Sequence, residues 1–293
     1  MKKVFNLVII ISTLAGCAYH TNKDNLLDNL KNQKLTFFIN EVRPEAEKPC
    51  FEGAYYRKLV SSTDAWVGIE GTVALPLIKF DESRKNPKKP MQYLDNPSVY
   101  LGGNMDAQET DIGLTWEVVK DEKGNISKDR KAFRPFLRRN SYKSEQKAVF
   151  EYAPGEESYY FYPGEEVRIS LKLIADKALR FSVESKGKKF ERDFICNGFI
   201  LGRKGEFKRV NAIDQVGNEG KPVQPTNTQI LNAIWKETNL FKNVNNKTIS
   251  VPFHSGRYTE MLCPSVSFFK VKHTAKELAK GAETLTISGD GDF

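Results

Sequence analysis

From Leu35 onward, apolar and polar residues alternate over short stretches punctuated by Gly, Pro, Asn and Asp. A two-residue period with frequent breakers predicts strands joined by turns. The pattern is strongest in EVRISLKLIADKALRFSVESKGKKFERDF, where Val167, Ile169, Leu171 and Leu173 share one face and Arg168, Ser170 and Lys172 the other. Asp176-Lys177 and Ser185–Lys188 supply turns, so Glu166–Ile174, Leu179–Glu184 and Lys189–Cys196 are expected as an antiparallel meander. Further strands are expected at Ala54–Val60, Ala65–Phe80, Ser98–Leu101, Glu109–Val119, Ala132–Arg139, Ala148–Tyr152, Tyr159–Tyr162, Lys208–Ala212, Thr248–Val251, Val266–Val271 and Thr284–Ile287. One segment departs from this rhythm. TNTQILNAIWKETNLF offers Thr226, Asn227 and Thr228 as caps and sets Ile230, Ile234 and Phe241 near one face with Leu231 and Trp235 beside them. That spacing predicts a helix across an edge or end of the sheets, with Trp235 as a core anchor.

The chain opens differently. In MKKVFNLVIIISTLAGC a short basic start precedes a largely apolar run from Val4 to Ala15, the order of a secretory signal and too short to span a bilayer. Leu14-Ala15-Gly16-Cys17 resembles the lipobox of bacterial lipoproteins. The resemblance implies that residues 1–16 are removed and that Cys17 becomes the acylated first residue. Acyl chains contribute roughly 0.8 kcal/mol per buried methylene, enough when several sit on one residue to hold a soluble domain at a membrane. Ala18, in place of Asp, implies outer-membrane sorting if the cell has two membranes. Residues 17–34 then form a polar tether and 35–293 a single domain. The length and the run of long strands fit one jelly-roll β-sandwich with one or two short helices better than an immunoglobulin domain of about 100 residues.

Composition narrows the function classes. The formal charge is +8, of which Lys2 and Lys3 leave with the signal. No basic stripe interleaved with aromatics accompanies it, which argues against a nucleic-acid partner; KNPKKP reads as a solvated turn. Three cysteines follow Cys17, and three single pairings are open among Cys50, Cys196 and Cys263. An exported compartment permits a disulfide. Cys50 with Cys263 is favoured because the first and last strands of a sandwich often lie side by side, and Cys196 within FICNGFI reads as a buried small hydrophobe. The cysteine spacing and the three histidines give no zinc signature, and the SGDGDF tail lacks the downstream acid of a calcium loop. No cofactor or metal is implied. Phosphate-cradling and Gly-x-Ser-x-Gly motifs are absent as well.

The candidate chemistry lies on ETDIGLTWE. Glu109, Asp111 and Glu117 take odd positions while Ile112, Leu114 and Trp116 take even ones, and a half-buried strand with a wet acidic face accounts for this alternation. YLGGNMDAQETDIGLTWE and YYFYPGEEVRISLKLIADKALRFSVES resemble strands of the concanavalin A-like lectin and glucanase group. The resemblance implies a jelly roll and a glycan ligand, and it matches Glu109 and Asp111 to a nucleophile and its neighbour. The expected acid/base glutamate falls instead on Gly113 or Leu114. HSGRY, from His254 to Tyr258, collects residue types used by lyases of that fold, but side chains adjacent in sequence do not converge. Tyr160 and Tyr162 share a face and can stack on sugars. The expected protein is therefore a lipid-anchored, exported binder of glycan or another envelope component, with Asn104, Glu109, Asp111, Tyr160 and Tyr162 as contacts. A glycan-cleaving enzyme using Glu109 and Asp111 is the first alternative and a structural or adhesive surface lipoprotein the second.

Overall fold

The computed structural model describes residues 37–43, 48–117 and 132–293. The signal, Cys17 and the tether lie outside them. The strands in chain order are β1 (Ala54–Ser61), β2 (Trp66–Ala74), β3 (Leu77–Lys79), β4 (Lys85–Asn86), β5 (Lys89–Tyr93), β6 (Asp95–Met105), β7 (Gln108–Glu117), β8 (Ala132–Arg139) and β9 (Val149–Tyr152). They continue with β10 (Glu166–Ala175), β11 (Ala178–Ser185), β12 (Lys188–Ile195), β13 (Gly205–Gln215), β14 (Gln229–Val244), β15 (Lys247–Pro252), β16 (Tyr258–Cys263), β17 (Phe269–Lys272) and β18 (Glu283–Ser288). One short helix, α1 (Ala275–Ala279), starts at a capping box in which Thr274 and Glu277 satisfy each other's backbone N–H groups.

Two large antiparallel sheets form a jelly-roll-like sandwich. One has seven strands in the order β16-β1-β13-β6-β7-β8-β9; the other runs β12-β11-β10-β2-β14-β18-β17, with β15 and β3 also paired to β14. Strands distant in the chain are neighbours throughout, as when β1 pairs with both β13 and β16. Unbroken alternation builds the meander: Val167, Ile169, Leu171 and Leu173 of β10 face the core, and Lys177 and Gly187 make its turns at positive φ. Each such aliphatic side chain contributes roughly 1.5–3 kcal/mol by leaving water. The core between the sheets also takes Ile112 and Leu114 of β7, Phe133 and Leu137 of β8, and Trp66 and Ile69 of β2.

The expected helix at Thr226–Phe241 is instead most of the sixteen-residue strand β14, with Trp235 in the core. Its register shifts between Ile230 and Ala233 and again between Trp235 and Glu237, and Asn232 takes a positive φ. Each bulge inserts a residue, so the buried positions fall at Ile230, Ala233, Trp235, Thr238 and Leu240. Alternate steps of three and two imitate the spacing of a helical face. Thr226 and Thr228 cap nothing; their hydroxyls donate to Asp95 at 2.5 and 2.8 Å. Tyr159–Tyr162 is likewise no strand: Glu157–Tyr159 is a 3-10 turn, after which Phe161 alone bridges to Phe133. Val266–Phe268 is another such turn, leading into β17.

A disulfide joins Cys50 to Cys263 with Cα atoms 5.9 Å apart, tying the segment before β1 to the end of β16. The neighbour of β1 is thus β16, while the last strand, β18, belongs to the other sheet. Cys196 is a buried free thiol, pushed up to about 12 by burial. Between the sheets, Glu283 of β18 receives Arg57 of β1 and Arg209 of β13, at 2.9 Å from the Arg57 Nε. Among the described residues no helix is long and apolar enough to cross a membrane.

Candidate functional site

The seven-stranded sheet turns its odd β7 residues away from the core. Register sets them in cross-strand rows. One row runs Lys208, Gly102, Asp111, Arg138, Phe150 over β13, β6, β7, β8 and β9. The next runs Lys58, Val210, Tyr100, Gly113, Phe136, Tyr152 from β1 to β9. On the far side of the first row, Asn104 stands opposite Glu109 and Glu206.

Two glycines make the rows possible. Lys208 and Asp111 flank β6, so their side chains meet only by crossing over Gly102, where an added Cβ would sit 2.6 Å from the Lys208 Cε and 2.7 Å from the Asp111 carboxylate. Tyr100 and Phe136 meet in the same way over Gly113, edge to face with ring centroids 5.8 Å apart. A methyl at Gly113 would lie 2.5 Å from the Tyr100 Cα and Cβ.

The strand is not the wet face that its alternation suggests. Asp111 is only 4% exposed and Lys208 6%, and the Lys208 Nζ lies 2.6 Å from Asp111 while also contacting Glu109. Arg138 donates to the other Asp111 oxygen at 3.2 Å and keeps half of its side chain exposed. Burial acts to raise the Glu109 pKa, but the Lys208 ammonium outweighs it and leaves the carboxyl below its usual range. Burial acts to lower the Lys208 pKa, yet Asp111 and Glu109 hold it above the ordinary lysine value. Burial also carries the Tyr100 phenol well above its usual value, with the charges of Asp111, Asp214 and Glu109 adding to the effect. Asp214, on the same face of β13, accepts from the Ser98 hydroxyl at 2.8 Å and is pushed up to about 6, chiefly by burial.

Of the expected contacts, Asn104, Glu109 and Asp111 come together. Asn104 is exposed beside the ion pairs. Tyr160 and Tyr162 pack with Ala132 at the other end of β8, six residues and about 20 Å along the strand from Arg138. Tyr160 is buried, and the Tyr162 hydroxyl donates to Glu157 at 2.7 Å while Lys188 covers its ring. The aromatic side chains near the acids are instead Phe150, 55% exposed, and Tyr152, 44% exposed, on the edge strand β9. Phe150 stacks on Phe136 with centroids 6.0 Å apart, and Arg134 lies over Tyr152 at 4.8 Å. The alternation in VFEY was their one local signal.

HSGRY does not assemble a site. His254 is buried against Phe37 and held down at about 4, first by burial and then by Arg257. Arg257 is buried on Glu41, with its Nε 2.7 Å from that carboxylate, while burial and then the charge of Glu283 carry the Tyr258 phenol above its usual value. Among the described residues no group of three or more His, Cys, Asp or Glu converges as a metal site.

No protein-family model and no curated protein matches the chain. Solved structures similar to it include Scytalido-glutamic peptidase with a peptide-based transition state analog, at 8% identity and a TM-score of 0.44, covering 80% of this chain and 98% of that one. The alginate lyase from Klebsiella pneumoniae is similar at 7% identity and a TM-score of 0.35, covering 63% of this chain and 59% of its own. A Bacteroides ovatus mixed linkage glucan GH16 protein follows at 12% identity and a TM-score of 0.32, covering 62% and 79%. These neighbours differ among themselves in what they act on, and at such scores they assign no chemistry to this chain.

Proposed function

We propose that this is a lipid-anchored, exported β-sandwich protein that binds a glycan, or a glycan-bearing envelope component, on the outer face of its seven-stranded sheet without cleaving it. The observation that carries the reading is the pairing of exposed Phe150 and Tyr152 with the Arg138–Asp111 ion pair one strand away. Flat rings meet the C–H faces of sugars, and a fixed fork of donors and acceptors beside them meets hydroxyls. Glu109 and Asp111 are both engaged by Lys208, and the ammonium holds the Glu109 carboxyl in its charged, acceptor form. A general acid needs the opposite environment. The test is a glycan array with the full chain in detergent, with reducing-end release assayed on each hit. Binding without release, weakened in Asp111→Asn and in Phe150→Ala, is the expected result; silence on every glycan sinks the reading.

The cleaving alternative finds no pair of carboxyls here: Asp214, pushed up to about 6, stands eight residues along β13 from Glu206, the position in register with Asn104 and Glu109, about 26 Å by the rise of a strand, whereas glycoside hydrolysis needs its two carboxyls within roughly 5–9.5 Å.

A further inference from the structure

The end of the sandwich at which the described chain begins carries apolar side chains that the fold does not use. Phe38 to Glu41 is a tight turn, closed by the Glu41 N–H on the Phe38 carbonyl at 3.0 Å and by the Phe38 N–H on the Glu41 carboxylate at 3.1 Å. Its base is fixed. Glu41 lies on buried Arg257, Phe38 packs edge to face on Trp66 with centroids 5.8 Å apart, and Val42 and Thr63 exchange two backbone hydrogen bonds. Ile39, at the tip, is 100% exposed, with Phe37 and Val42 exposed on either side. A firmly held turn that presents an isoleucine wholly to water gains no burial from it.

Neighbouring turns continue this surface. Thr63 leads to Asp64, which bridges Gly205 at the start of β13, and the loop just before Gly205 exposes Leu201, Arg203 and Lys204. The Leu201 N–H donates to Asp176 in the turn between β10 and β11, and Arg203 pairs with Asp106 in the turn between β6 and β7. Over residues 37–43, 106–107, 140–148, 176–177 and 200–204, six exposed cations (Arg43, Lys143, Lys147, Lys177, Arg203 and Lys204) stand against three exposed acids, Asp106, Glu145 and Asp176. This end is therefore apolar at its tip and positive around it.

The chain that leads here identifies what the surface meets. Twenty residues separate Cys17, the expected site of acylation, from Phe37. A flexible linker of that length spans about 25 Å end to end, so an anchor at Cys17 delivers this end of the domain to the lipid. The other end of β13, at Val216, lies about 36 Å away along the strand. Binding at a bilayer surface grows with the apolar area that enters the headgroup boundary and with the attraction of Lys and Arg to anionic lipid, and this end offers both.

We infer that this end is a membrane-contact surface, with Phe37, Ile39 and Leu201 at the acyl boundary and Arg43, Arg203 and Lys204 on the headgroups of an anionic phospholipid leaflet. The inference rests on the lipid-anchor part of the proposed function and is independent of its glycan part. It gives the sandwich an orientation, with Val216 and the turns beside it farthest from the lipid.

The full chain, extracted from the envelope, is reconstituted in vesicles of phosphatidylethanolamine and phosphatidylglycerol, and its intact mass reports whether Cys17 is acylated. A bimane label is placed in turn at Ile39→Cys, Leu201→Cys and Val216→Cys, all exposed positions, with the unsubstituted chain as blank. Lipids carrying a nitroxide in the acyl chain are expected to quench the first two labels at least twofold and the third not at all. Replacing phosphatidylglycerol by phosphatidylcholine is expected to weaken the quenching at Leu201→Cys. Equal quenching at all three positions, or none at Ile39→Cys, with Cys17 acylated, overturns the surface and leaves the anchor standing. An unacylated Cys17 overturns the anchor; vesicles added to the same labelled chains then decide the surface, which the same pattern upholds and its absence overturns. Quenching at Leu201→Cys that ignores lipid charge overturns the part given to Arg203 and Lys204.

Discussion

Two ion clusters in this protein use the same chemistry in different settings. Between the sheets, Arg57 and Arg209 close on Glu283, and all three side chains are almost fully buried. On the outer face of the seven-stranded sheet, Lys208 and Arg138 hold Glu109 and Asp111, with Arg138 and Glu109 partly open. In the first cluster every charge is committed to the fold. In the second, Lys208 and Asp111 are buried while Arg138 and Glu109 reach water at its sides. A buried network that is complete rigidifies a core, and one with an open side is placed to receive a ligand.

The strongest break in that contrast is Glu283→Gln. It leaves the buried Arg209 guanidinium with no carboxylate and Arg57 with Glu260 alone, a change that costs about 3–5 kcal/mol when a buried pair loses one partner. Denaturant unfolding at pH 7 is expected to show it. The acid limb gives a second readout. Burial would raise the Glu283 carboxyl, but the two arginines hold it down at about 2 against an ordinary 4.5. Because the folded pKa is depressed, its stabilisation is complete above about pH 4.5 and is lost as pH falls toward 2. The variant's deficit is therefore expected to shrink over that window. On the outer face, Lys208→Met is expected to cost less, about 2 kcal/mol, because Arg138 still serves Asp111 and water still reaches Glu109. A Lys208→Met deficit larger than that of Glu283→Gln would make the outer cluster the structural one and undo the comparison.

The two clusters were unequally legible in the chain. Glu109 and Asp111 stand out because they share one strand, and Asn104 follows from the turn that pairs β6 with β7. Their counter-ion, Lys208, is 99 residues from Glu109 and meets it only because β13 lies beside β6. Local alternation carries no information on such partners, so an acidic row that reads as wet is in fact held under a lysine. The meander of β10 to β12 was readable because nothing interrupts its period. β14 was not, since its bulges turn a period of two into steps of three and two. The aromatic contacts were misplaced for a related reason: four consecutive aromatic side chains at Tyr159–Tyr162 attract notice, yet Phe161 faces the core and Tyr160 is buried. The exposed rings sit on a four-residue edge strand.

Asp214→Asn sharpens the contrast from the opposite sign. Its carboxyl is raised to about 6 from an ordinary 3.8, chiefly by burial. A raised acid binds its proton more tightly in the folded state, so stability is expected to fall as pH rises from about 4 through 6. The amide removes that cost. Asp214→Asn is expected to melt above the unmodified protein at pH 8, with the gap closing as pH drops through 6. A gap that is constant in pH would mean that Asp214 is not titrating in this range.

The smallest effect on stability is expected where the effect on binding is largest. Phe150 is more than half exposed on an edge strand, and it gives the fold only its stack on Phe136 and a contact with Tyr152. Phe150→Ala should cost about 1 kcal/mol or less in unfolding. If the outer face is a ligand surface, the same change should weaken glycan binding by tenfold or more, because a stacking ring is used in full by the ligand and only in part by the fold. Calorimetric titration beside thermal melting separates the two. A variant that melts several degrees lower and binds unchanged would make β9 a structural edge and would move the search for the ligand away from it.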